Sequence, residues 1–215
     1  MKRVLASLLA FLGTFAVAAA ADKLSGVPLP SEVPFVTAVT ADLQARFPTP
    51  DAARRAGYLR FTDEDNTGAI SYANKHWTSD QTHPSQLWYD VNGRLLGADF
   101  SVLQADSPQA PQKWGIDPRR WTKFGAHDHY GLVGPNGTTI YSGMGMRKLP
   151  PGASLEHPTA DMLVAAGAAK STSDVRFTFF FPAIWDLEVW ILPNPAGAFA
   201  ESNPDVKPVK GGGSS

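Results

Sequence analysis

The chain has 215 residues, 19 basic against 20 acidic side chains, and no cysteine. Disulfides, thiol catalysis, thiolate zinc sites and iron–sulfur clusters are thereby excluded. The near-balanced charge, with no basic run longer than two residues, argues against nucleic acid as a partner.

The N-terminus has the three parts of a secretory signal peptide in order. Met1-Lys2-Arg3 is positive, Val4 to Val17 is apolar but for Ser7, Gly13 and Thr14, and Ala18 to Ala21 supply small residues for cleavage. We read residues 1–20 as the signal peptide, 21–204 as one globular domain and 205–215 as a flexible tail ending in Gly-Gly-Gly-Ser-Ser. Removing Lys2 and Arg3 leaves 17 basic against 20 acidic residues. No later segment reaches the roughly 20 apolar residues a membrane span needs, so a soluble periplasmic or secreted protein is expected.

In the mature part, Phe35, Val39, Leu43 and Phe47 recur every four residues and predict an amphipathic helix over 33–47. Thr49, Pro50 and Gly57 have the types that cap, start and close a second short helix. Beyond Tyr58 the 18 prolines and 19 glycines cut an aromatic-rich chain into short runs, the pattern of a mainly β protein. Strands are expected at 58–61 and 69–72. Between them, Asp63, Asp65, Thr67, Gly68 and Ile70 match the start of a calcium loop, but Asn74 holds the twelfth position and a polar turn is expected. Leu87–Val91 and Arg94–Leu103 flank Asn92-Gly93 as a hairpin. A capped helical turn is expected at 117–121, and a second hairpin joins 124–133 to 138–142 about Gly134–Gly137. A short helix over 158–166 precedes two apolar strands, 175–181 and 184–192, separated by Pro182.

Chemistry concentrates in Gly125-Ala-His127-Asp-His129-Tyr-Gly131, inside a predicted strand. The two-residue period of a strand puts His127 and His129 on one face, where both imidazoles can reach one cation. Gly125 and Gly131 share that face and are expected to leave space beside them. Along 185–190, alternation puts Asp186, Glu188 and Trp190 opposite Trp185, Leu187 and Val189. Two carboxylates in step on an apolar strand are costly unless paired or bound, which makes Glu188 the preferred further ligand. His157, beside Glu156, is another, and His83 a remoter one. The His-x-His pair on a strand resembles the first metal motif of cupin barrels over these few residues; where a glutamate follows the pair there, this chain has Gly131-Leu132-Val133-Gly134. Two histidines and a carboxylate suit zinc, iron or manganese with open positions. In the rival reading the histidines hydrogen-bond Asp186 or Glu188 and serve the core.

The six tryptophans bear on both readings. Trp77 and Trp114, near loops, are the expected exposed pair, on which a glycan or flat ligand could stack; the others are expected in the core. No nucleophile elbow, zinc helix, phosphate loop or dinucleotide fingerprint is present. The expectation is thus a single antiparallel β-barrel or sandwich with an N-terminal helical segment. It binds a divalent metal or small polar ligand through His127 and His129, with Glu188 or His157. The alternative is a non-catalytic periplasmic or secreted binding or assembly module with structural histidines and an aromatic contact surface. Whether the protein is an enzyme does not follow from the sequence.

Overall fold

The four-residue stripe does form a helix. In the computed structural model, which describes residues 24–74, 77, 80–145 and 149–209, α1 spans Val33–Arg46 and buries Phe35, Val39 and Leu43. Helix α2 (Pro50–Arg55) starts where the Thr49 side chain accepts from the Ala52 N–H, and the chain leaves it through Gly57 at φ 92°. The expected signal peptide and residues 210–215 lie outside the described residues.

Among the described residues nine strands follow, in two antiparallel sheets. The first sheet has the order β1 (Leu59–Arg60), β2 (Ile70–Ala73), β3 (Gln86–Tyr89), β4 (Leu95–Leu103), β9 (Ile184–Trp190), β5 (Thr122–Phe124). The second is β7 (Thr139–Gly145), β6 (His127–Val133), β8 (Val175–Phe181), and α3 (Ala160–Ala165) packs on its outer face. The sheets lie as an open sandwich. Of the two expected architectures, the closed barrel is not the one adopted. No described helix is long and apolar enough to cross a membrane.

Strand parity decides what each face of the larger sheet does. Ile70, Tyr72, Leu87, Tyr89, Ala98, Phe100, Leu187 and Val189 pack with α1 in the main core. Ser71, Gln86, Trp88, Asp99, Asp186 and Glu188 point the other way, into the space between the sheets. Gly97 lies on that second face against the Trp88 ring. A Cβ there would overlap the indole and come within 2.7 Å of the Val189 carbonyl oxygen. Gly97→Ala is therefore expected to cost about 2–3 kcal/mol, read as a lower urea midpoint, because neither the indole nor the central strand can retreat.

Several local expectations are revised. The β3–β4 turn is a four-residue turn, in which Gly93 N–H donates to the Asp90 carbonyl (2.9 Å) and Gly93 alone takes positive φ. The Asp90 carboxylate selects it by accepting from the Asn92 and Arg94 N–H groups (both 2.9 Å). Trp114 is packed, stacked on Phe35 at 5.3 Å and 7°. The polar turn between β1 and β2, in contrast, is as expected: Asp65 Oδ1 accepts from the Thr67 N–H, the Thr67 hydroxyl and the Ala69 N–H. The expected tail packs for part of its length, with Val206 buried against Trp88, Leu96 and Trp190.

Candidate functional site

The site lies in the hollow of a corner shared by two strands. Phe124 on β5 faces Ile184 on β9, and His127 on β6 faces Phe181 on β8. The register is the same on both sides, so Gly125-Ala126 stand opposite Pro182-Ala183 at the break. Proline has no N–H for the ladder and glycine holds its backbone loosely, so pairing fails there and both strands turn into the second sheet. The single strand expected over 124–133 is thus two. His127 is the first residue past the corner.

Both imidazoles enter the hollow, as period two requires. His127 Nε2 and His129 Nε2 are 3.0 Å apart. His127 Nδ1 donates to the Gly125 carbonyl at 2.8 Å, so in the neutral ring Nε2 carries the lone pair. That lone pair faces His129 Nε2, and a proton or a cation between the nitrogens satisfies it. The His127 ring stacks on Phe181 (centroids 4.4 Å apart, 23°), and His129 lies against Phe61 (4.6 Å) and Phe179 (5.7 Å). Burial pushes His129 down to about 4; the His127 charge adds to this and the Ser142 carbonyl opposes it. His129 is neutral across the physiological range, the form in which imidazole ligates. The flanking glycines divide. A side chain at Gly125 would meet open space, whereas the space beside Gly131 is filled by the Phe177 ring.

Across the hollow stand carboxylates. Asp99 on β4 is directly opposite Glu188 on β9, and Ser101 opposite Asp186. Asp186 Oδ1 accepts from the Ser101 hydroxyl at 2.8 Å, and Asp99 Oδ2 from Trp88 Nε1 at 3.0 Å. Asp99 is 4 % exposed and its Oδ1 has no hydrogen-bond partner among the described residues. Burial raises Asp99 well above the usual carboxylate range, with the charges of Asp186 and Glu188 adding to it. Asp186 is raised chiefly by burial, against the Ser101 hydrogen bond. Glu188, at the open rim, is raised by its protein surroundings and by Asp65 and Glu201. The cavity holds about 480 Å³, room for a small organic molecule, and is lined by both histidines, these three acids, Asp65 and Glu201. No lysine or arginine lines it among the described residues.

Of the four candidate ligands, His127, His129 and Glu188 border this one cavity. His157 does not; it lies with Glu156 and Trp77 in a separate groove along β8. Among the described residues no third histidine or carboxylate stands with the pair as a ready set of three ligands. His83 is remote, bonded through Nδ1 to Asp80 at 2.6 Å. The sequence reading missed Asp99. The signal was present, since an aspartate inside the apolar run Leu95–Leu103 violates the same cost argument that singled out Glu188.

Fold and site together define a mainly β protein of two antiparallel sheets with a ligand-sized, acidic and aromatic cavity between them. No protein-family model matches the chain, and no curated protein or solved structure is significantly similar to it.

Proposed function

We propose that the protein binds a small polar ligand in the intersheet cavity and that His127 and His129 anchor a divalent transition metal there. One observation carries the metal: the 3.0 Å between the two Nε2 atoms. Two nitrogens each about 2.1 Å from one cation and at right angles are about 3.0 Å apart, and at the tetrahedral angle about 3.4 Å. The separation therefore suits an octahedral ion such as iron or manganese better than tetrahedral zinc. The Gly125 carbonyl bonded to His127 Nδ1 is the outer support that a ligating histidine uses. The remaining positions would go to water, to the ligand, or to Glu188 from the cavity rim. The same proposal has the chain exported to the periplasm or beyond, on the strength of residues 1–20.

Protein purified without a histidine tag is expected to take up close to one equivalent of manganese or iron. The double variant His127→Ala/His129→Ala is expected to lose that uptake while remaining folded. Equal metal content in both proteins sinks the proposal. The stacking of both imidazoles on phenylalanines favours a second reading, in which they are packing elements sharing a proton within a non-catalytic binding module. In that case wild type takes up no metal and the double variant loses only stability.

A further inference from the structure

We propose that the carboxylate side of the cavity, centred on Asp99 with Asp186 and Glu188, binds the primary ammonium group of an organic ligand. The inference rests on reading the cavity as a ligand site and is independent of the metal.

Asp99 lines the cavity with its side chain buried, and its Oδ1 has no hydrogen-bond donor among the described residues. Such an oxygen loses its hydration on folding and recovers it only from a donor, and the protein supplies one to Oδ2 alone. A bound ligand completes the set. Its charge follows from the neighbours. Asp99 and Glu188 are directly opposed across β4 and β9, an arrangement that repels when both are ionised. With Asp65 and Glu201, five carboxylates line a cavity that holds no lysine or arginine among the described residues. Ionising these acids together is opposed by an anion, unaided by a neutral ligand and favoured by a cation.

The walls select the kind of cation. Trp88 and Trp190 meet edge to face at 5.8 Å, and Phe61, Phe124 and Phe181 close the other sides. Aromatic faces attract an ammonium and pack against its carbon skeleton, but they cannot coordinate a metal ion. A primary ammonium, with three donors, also supplies the directed N–H that Asp99 Oδ1 lacks.

The test uses the full chain with benzylamine as probe and benzyl alcohol as its uncharged isostere. Binding is followed at pH 7 by calorimetry and by tryptophan fluorescence. Benzylamine is expected to bind at least about tenfold more tightly than benzyl alcohol. Asp99→Asn, checked for folding by its unfolding midpoint, should abolish that preference without reducing metal uptake. Glu188→Gln, at the open rim and tolerant of the change, should weaken it. His127→Ala/His129→Ala should retain it. Equal binding of the two probes overturns the inference while leaving a ligand cavity. Binding of neither overturns the cavity reading as well. A preference that survives both acid variants also overturns it.

Discussion

Replacing Arg120 with methionine is expected to cost about 3–5 kcal/mol of stability, a large part of what a domain of this size possesses. Arg120 follows Asp117-Pro118, where the Asp117 side chain accepts from the Arg119 N–H and caps a single helical turn. Its guanidinium donates to both oxygens of Glu32 (3.2 and 3.1 Å) and to the carbonyls of Ser25 and Val27, and it lies 4.6 Å over the Phe199 ring. Neither partner sees water, with side chains 4 % and 0 % exposed. Glu32 also accepts from the N–H groups of Leu29 and Asp117, so it ties the start of α1 to the turn before β5. Methionine keeps the stem and removes the charge, leaving a buried carboxylate whose counter-ion is gone. That residual charge, more than the lost contacts, sets the size of the effect. Urea denaturation should show the loss directly. The double variant Glu32→Gln/Arg120→Met should recover part of it, since no ion then remains to be buried. A single-variant loss below about 1 kcal/mol would mean that water reaches Glu32.

The second large effect depends on pH and belongs to Asp128, between the two histidines but on the opposite face of β6. Its side chain is fully buried and neither carboxyl oxygen has a hydrogen-bond partner among the described residues; burial raises it to about 7. The unfolded chain titrates near 3.9. Below about pH 4 both states hold the proton and Asp128 contributes nothing. Between about 4 and 7 the unfolded state releases its proton while the fold retains it, so stability falls as pH rises; above 7 the loss is complete and level. Three pH units correspond to at most about 4 kcal/mol, and water entering the site reduces this, so about 2–4 kcal/mol is expected. Asp128→Asn has the shape of the protonated acid and cannot ionise. It should match wild type at pH 4 and exceed it at pH 8, in denaturation experiments on chelator-treated protein. A difference that does not change with pH would show that Asp128 does not titrate in the fold.

Elements set by neighbouring residues were legible. The Phe35–Leu43 stripe makes α1, and Thr49 and Asp117 cap where their types say they should, because each signal acts within a turn of chain. The shared face of His127 and His129 was equally readable, since it needs only the strand's period. The sheet switches were not. Residues 124–133 show one strand-like pattern, and the break at Gly125-Ala126 is enforced by Pro182-Ala183 opposite, nearly 60 residues later. For the same reason β8 and β9, adjacent in sequence, enter different sheets.

The candidate site divides along the same line. Sequence alone determined the histidine pair, the in-step carboxylates of β9 and the exclusion of thiol chemistry, because residue type and parity are local properties. Only the tertiary structure decided which of them meet. It joined Glu188 to the histidine cavity, left His157 in another groove, and brought in Asp99 by pairing β4 with β9. Pairing register and sheet-to-sheet packing are set by burial summed over the whole chain. No short stretch carries that information, and so the residues that share a cavity become known only when the sheets are assembled.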